Sequence, residues 1–335
     1  MLTLIVLAAG LGRRFGADKQ IARVGPDGQT LLDFTLHDAW RAGFGRVVFV
    51  LRPDLLGPFA DTYGPRWDTE LDLRLVVQDP ADLPPACVPP APRDKPWGTL
   101  HAVWCARAHA GDRCAVLNAD DLYGAAALSG VAQFLRAVDD DGDVNGDVNG
   151  DVDGPGDGPG DGCRGGALRA CLPGYPLAAT LSRAGSVNRG ICRTTEDWLL
   201  GVDEVTDIAQ DADGVIRGRQ GRAATRCALD PDTPVSMNLW AWQGRPWDAM
   251  AQALSAFLED PHRSPQAEAY LPAFWDRMVR DGQTRCRVLP APEGWTGLTH
   301  PQDLERVRHH VQELCTQGRY ATMPALRTSS ARTLG

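Results

Sequence analysis

The stretch that constrains this chain most is its start. Leu2-Thr-Leu-Ile-Val-Leu-Ala-Ala9 is a short apolar run that ends abruptly at Gly10. A run of that length without polar alternation suits a parallel strand buried on both faces, which in turn needs helices on either side of its sheet. It does not suit a secretory signal, because no basic residue precedes it and Arg13 and Arg14 follow it instead. Nor does any apolar run reach the roughly 20 residues that cross a bilayer.

The following segments keep the alternation that such a sheet requires. Apolar residues at Leu31, Leu32, Phe34, Leu36, Ala39 and Trp40 recur at helical spacing, and Gly43 is a natural stop. Strands are predicted at Arg46–Leu51, Leu73–Val77 and Cys114–Leu117, and helices at Leu100–His109 and Ala125–Val138. This order predicts right-handed crossovers and a Rossmann-like, three-layer α/β/α architecture with a mixed, mostly parallel sheet. Farther on, short strands are expected at 167–172, 177–182, 190–193, 199–205 and 285–289, and a longer one at Val235–Trp242. Helices are expected at 247–258, 266–280 and 301–317, with a weakly ordered tail from Arg319.

Between the two halves lies DDDGDVNGDVNGDVDGPGDGPGDG, Asp139 to Gly162. Its opening resembles a calcium loop, but the twelfth position is Val152 where a bidentate Glu is needed, and Pro-Gly repeats prevent a following helix. Gly and Asp bury too little apolar surface to offset the entropy of ordering, so a solvated insert over 139–166 is expected. The chain then divides into residues 1–138, the insert, 167–318 and the tail. Within the insert, Asp139–Asp161 holds nine of the 43 acidic residues and no Lys or Arg, which leaves 34 against 34 basic ones, so the formal charge of −9 belongs to this stretch.

The overall acidic balance argues against a protein built mainly to grip nucleic-acid phosphates or an anionic membrane, since both need clustered Lys and Arg, and leaves room for a local basic site. Nine cysteines without a C-x-x-C pair indicate neither a disulfide framework nor a thiolate zinc site. They point to small core residues in a reducing cytoplasm. Of the 34 basic residues only Lys19 and Lys95 are lysine, which suggests that these two keep a compact ammonium for a reason.

In doubly wound sheets ligands sit beyond the carboxyl ends of the strands. Gly10-Leu-Gly12-Arg-Arg14-Phe-Gly16-Ala-Asp-Lys19-Gln20 follows the first strand directly. Its glycines let backbone amides approach a polyphosphate, and Arg14 and Lys19 add fixed positive charge. A dinucleotide fingerprint would need the third glycine one residue before Gly16, and a Walker loop would need Gly-Lys-Ser/Thr. An ordinary Gly-rich turn is the plainer alternative. Asp120 and Asp121 end the fourth strand, where hard carboxylate oxygens suit magnesium held together with phosphates; adjacent Asp residues also simply begin turns. Together, loop, lysine and carboxylate describe a phosphoryl or nucleotidyl transfer site.

LAAGLGRRFGADKQ, followed by PWGTLHAV, NADDLYG, RGIC, GVDEV, VSMNLWAW and WTGLTHPQDL, resembles the sugar-1-phosphate nucleotidyltransferases, or NDP-sugar pyrophosphorylases, over about residues 1–318. The resemblance implies a GT-A-type core and a magnesium-dependent reaction of an NTP with a sugar 1-phosphate, giving an NDP-sugar and pyrophosphate. It would place the nucleotide on Ala8, Ala9, Gly10 and Gly12, with Arg14 and Lys19 as catalytic cations. Gln78, Gly98 and Thr99 resemble base-reading residues, and Asp120 the magnesium ligand. Gly190 and Glu204 resemble sugar-binding positions, with Asn238 on the strand closing that pocket and Lys95 in reach of a phosphate. Two departures stand out: Val205 replaces a common Lys, and Trp295-Thr-Gly297-Leu-Thr299 lacks the Asp that many members use as a second ligand, for which Asn238 is the substitute. A cytidylyltransferase for another phosphorylated alcohol such as phosphocholine, or a silent nucleotide-sugar-binding subunit, are the alternatives.

Three further features have structural readings. Trp240 and Trp242 share a strand face that is expected to be core. His101 is expected on a helix surface or locally bonded. Asp303 fits the start of the last helix.

Overall fold

The computed structural model describes residues 1–10, 21–85, 87, 95–137, 168–182, 185–221, 225–264, 266–298 and 302–325. The Gly12, Arg14 and Lys19 positions and the acidic insert lie outside the described residues.

The first half alternates as expected: β1 (Leu2–Leu7), α1 (Leu31–Ala42), β2 (Phe44–Leu51), α2 (Leu56–Trp67), β3 (Asp72–Val77), α3 (Thr99–Cys105), β4 (Arg113–Asn118), β5 (Asp121–Leu122) and α4 (Ala125–Arg136). The second half begins with strands: β6 (Arg169–Pro176), β7 (Val187–Thr195), β8 (Trp198–Gln210), β9 (Ile216–Gln220), β10 (Cys227–Ala228), β11 (Pro234–Ser236) and β12 (Trp240–Gln243). Then come α5 (Trp247–Glu259), α6 (Leu271–Arg280), β13 (Arg285–Pro290), β14 (Thr296–Gly297) and α7 (Asp303–Thr316).

One sheet joins both halves in the order β10-β9-β8-β7-β11-β6-β12-β4-β1-β2-β3, with β13 beside β6 and β8. It is mixed. β3, β2, β1 and β4 pair in parallel, as do β6 and β13, but every other ladder in it is antiparallel. The expectation of mostly parallel pairing therefore holds for the first half only. Short strands joined by tight turns, which dominate the second half, can pair only with reversed direction.

Both sheet faces are covered, which is why β1 carries so little polarity. Leu2, Leu4 and Val6 face a core shared with α1, α2 and α4. Ile5 faces the opposite core, formed with α3, α5 and α6. The same alternation recurs on β2, where Val47 and Phe49 enter the first core and Val48 and Val50 the second. Trp240 and Trp242 both fall in the second core, fully buried around Trp275, as expected of that strand face.

Several expectations change. Residues 177–182 form no strand; Leu177–Thr180 is a single 3-10 turn. Val235–Trp242 is two strands, because Asn238 takes a left-handed conformation with φ +63° and breaks the extension. Helix α2 has no counterpart in the sequence reading. The tail reading fails for residues 319–325: Tyr320 is buried, its hydroxyl meets Asp38, Thr322 Oγ1 meets His37, and Arg66 donates to the Pro324 carbonyl. No helix among the described residues is long and apolar enough to cross a membrane.

Candidate active site

The parallel strands deliver their carboxyl ends to one edge. Leu7 on β1 is in register with Asn118 on β4, and Leu51 on β2 with Val77 on β3. The chain leaves each strand still anchored: Ala8 N–H donates to Val50 O, Ala119 N–H to Leu7 O, and Gln78 N–H to Leu51 O. Ala8, Ala9, Gln78 and the Asn118–Asp121 turn are thereby fixed side by side. Ala8 and Ala9 are buried, whereas Gly10 is exposed, and a side chain added there would meet nothing within 4 Å.

Beside it lies a second group of expected residues. Gly98 takes φ +104° and lies so close to 268–269 that a Cβ would approach Ala269 O to 2.6 Å. Gln78 Nε2 donates to Gly98 O at 2.9 Å and lies 3.2 Å from His101 Nδ1. Thr99 Oγ1 accepts from Leu271 N–H. Lys95 forms an ion pair with Glu268. These contacts bind the turn before α3 to the segment before α6, so Gln78, Gly98 and Thr99 form one cluster with Lys95 at its rim.

His101 is not on a surface. It is fully buried, with Nε2 facing Asp82 O at 3.0 Å and Nδ1 facing the Gln78 amide. Because Asp82 O can only accept, the proton sits on Nε2 and Nδ1 accepts from Gln78. Burial holds the imidazole below its ordinary range, with Asp82 opposing the shift.

The cleft itself occupies about 480 Å³ and is lined on one side by Asn118, Asp120 and Asp121. Its other wall comes from β7, β8 and the β11–β12 break, with Arg189, Gly190, Glu204 and Asn238 among its residues. Asp120, Gly190, Glu204 and Asn238, far apart in sequence, thus share one cavity. Gly190 is required there: a Cβ would come within 2.8 Å of Val202 Cγ1. Glu204 stands opposite Gly190 across the β7–β8 ladder.

A polar chain organises the floor. Asn238 Nδ2 donates to Asn118 Oδ1 at 2.8 Å, and Asn118 Nδ2 donates to Asp121 Oδ2 at 2.9 Å. The Tyr123 hydroxyl accepts from Asn118 N–H and lies 3.2 Å from the same carboxylate oxygen. Burial, reinforced by Asp121, pushes the Tyr123 phenol well above its usual range. Asp121 is thus tied to Asn118 and Tyr123 at the cleft floor, and half-buried Asp120 is the neighbouring carboxylate on the wall.

Among the described residues no three His, Cys, Asp or Glu side chains form a group that could hold a metal ion. The donors nevertheless fit magnesium. Asn238 Oδ1 is buried without a hydrogen-bond partner, an unmet acceptor on the cleft wall that also carries Asp120. Magnesium keeps several waters and takes only one or two protein oxygens alongside substrate phosphates, so a carboxylate and an amide oxygen suffice. The Trp295–Leu298 segment reaches the same place: Gly297 pairs with Asp121, and Leu298 N–H donates to Asp120 O. It brings backbone and Trp295 rather than a carboxylate.

Sequence reasoning missed Arg189 and Trp295 as cleft residues. Arg189 immediately precedes Gly190 in the RGIC motif, which was the available signal.

Residues 4–144 match the MobA-like NTP transferase domain family. No curated protein matches the chain by sequence. Among solved structures, a protein assigned as a glucose-1-phosphate thymidylyltransferase from Bacillus anthracis, in complex with sucrose, is similar at TM-score 0.56 and 10% identity, over 93% of this chain and 96% of that one. The inositol-1-phosphate CTP transferase from T. maritima is similar at TM-score 0.50 and 12% identity, with the same coverage.

Proposed function

We propose that this chain, a nucleotidyltransferase carrying a MobA-like NTP transferase domain in residues 4–144, joins the nucleoside monophosphate part of an NTP to a sugar 1-phosphate and releases pyrophosphate. The observation that carries the reading is the shared cleft: Asp120 at the end of a parallel strand faces Gly190, Glu204 and Asn238 on a wall contributed by the second half.

A phosphate monoester is already ionised at neutral pH, so its oxygen attacks the α-phosphorus without a general base. The protein's work is then to hold two anions in line and stabilise charge on the equatorial and leaving oxygens. Gln78, Gly98 and Thr99 read the base from the clustered turn, and Ala8, Ala9, Gly10 and Gly12 hold the nucleotide. Arg14 and Lys19 balance the triphosphate and the α-phosphorus. Glu204 accepts hydrogen bonds from acceptor hydroxyls beside Gly190. Asp120, with Asn238 Oδ1, would hold magnesium, which supplies charge neutralisation for phosphate oxygens.

The four NTPs, with magnesium, tested against glucose 1-phosphate, inositol 1-phosphate and phosphocholine for pyrophosphate release provide the test. Release with a phosphorylated sugar supports the reading. Release with phosphocholine alone would replace the sugar by another phosphorylated alcohol, a reading favoured by the four carboxylates lining the cleft at 120, 121, 204 and 276. No release from any pair would reject it. Lys19→Ala should lower turnover about 100-fold or more while leaving the melting temperature unchanged.

A further inference from the structure

Arg189 brings a positive charge to the cleft wall that carries Gly190 and Glu204, and among the described residues no carboxylate lies within ion-pair distance of it. It lies on β7 opposite Val205 of β8, an apolar and buried neighbour. Its Nε donates to Thr180 Oγ1 at 3.2 Å, Nη1 to Asn188 O at 2.9 Å, and Nη2 to Thr180 O. The guanidinium lies 5.4 Å from the centre of the Trp295 ring. Every one of these partners is neutral, and they use three of the five N–H groups that an arginine carries.

Two other enclosed arginines are treated differently. Arg66 has Asp33 at 3.4 Å, and Arg226 has Asp211 at 2.8 Å. Arg189 has no such ion pair among the described residues, although burial works against its charged form and Asp121 only partly offsets that. Carbonyls and a ring face orient a guanidinium without cancelling its charge. A fork held this way is suited to an anion that arrives with a ligand and completes bidentate, charge-assisted hydrogen bonds.

We propose that Arg189 is the residue that binds the acceptor's phosphate, with its two remaining N–H groups, and so makes the second substrate a phosphate monoester rather than the free alcohol. The position on the wall with Gly190, Glu204 and Asn238, outside the residues that match the NTP transferase family, separates it from the nucleotide loop. Thr180, on its 3-10 turn, and Trp295 are positioning groups that fix the guanidinium plane.

This inference rests on the cleft being the acceptor site of nucleotidyl transfer, and the wild-type chain tests that premise first. If it releases pyrophosphate with no pair, the functional reading fails before any variant is measured. With the best pair in hand, Arg189→Gln, Arg189→Lys and Thr180→Val are compared by steady-state kinetics and by calorimetric titration with that phosphorylated acceptor and its unphosphorylated counterpart. Loss of a bidentate charge-assisted contact predicts an acceptor KM raised about 10-fold to 100-fold in Arg189→Gln, with the KM for NTP within about 2-fold. Arg189→Lys keeps the charge but not the fork and should fall between wild type and Arg189→Gln. Thr180→Val, which removes only the supporting hydroxyl, should change the acceptor KM less than about 5-fold. Should Arg189→Gln fail to fold, Arg189→Lys decides alone. A folded variant at position 189 that keeps the wild-type acceptor KM, or one that raises both substrates' KM equally, overturns the proposal.

Discussion

His101 shows how one buried side chain holds the turn before α3 together. Its neutral ring holds the Gln78 amide, which also holds Gly98 O, so a proton added to Nδ1 would point at a donor. Burial lowers the folded-state pKa below the ordinary 6.5. Between that lowered value and 6.5 the unfolded chain binds more protons than the folded one, so this contribution to stability is complete above 6.5 and declines as pH falls through the window. Urea unfolding at a series of pH values should show this slope, and His101→Gln should flatten it. The slope's persistence in His101→Gln would assign it to other groups. Asn238 makes a related point: its left-handed backbone aims its side chain at Asn118, so Asn238→Ala should cost about 1–3 kcal/mol through backbone strain and an unpaired Asn118 oxygen. A chemical denaturation curve checks it.

At the scale of elements, the seam between the turn before α3 and the segment before α6 is backbone against backbone. Ala269 N–H donates to Trp97 O, and Leu100 N–H donates to Ala269 O. Gly98→Ala adds both a positive-φ penalty and a clash with main-chain atoms, which cannot rotate away. A loss of about 2 kcal/mol or more is expected, with weakened NTP binding measured by titration. Helix α1 needs no such help to be recognised: Thr30 and Asp33 form a capping box, Gly43 closes it at φ +90°, and its apolar spacing matches the observed Leu31–Ala42. Helix α2 is the opposite case. Gly57, Pro58, Gly64 and Pro65 weaken its helical signal, and it persists because Phe59, Tyr63 and Trp67 bury one stripe against the sheet.

Across the whole molecule, the segment after α7 ties the last residues described back to the first helix. Tyr320 lies in a small core with Phe34, Leu31 and α7, and its ring meets Phe34 edge-on at 4.8 Å. Tyr320→Ala should cost about 3 kcal/mol, and ending the chain at Gly318 at least as much, both read from thermal or urea unfolding. Equal stability of full-length and shortened chains would show that the segment is dispensable. The sequence by itself determined the alternation of strands and helices in the first half, the two-sided burial of β1, the buried tryptophan face, and which residues are candidates for the proposed site. These are legible because hydrophobic period, caps and short motifs act within a few residues. Only the tertiary structure decided that the second half pairs mostly antiparallel, that Asp121 bonds to Asn118 and Tyr123 while lining the cleft with Asp120, that His101 is enclosed, and that Arg189 lines the same cleft. Each depends on which distant backbone a residue meets, on β-ladder register and on the left-handed break at Asn238, and no local pattern encodes those encounters.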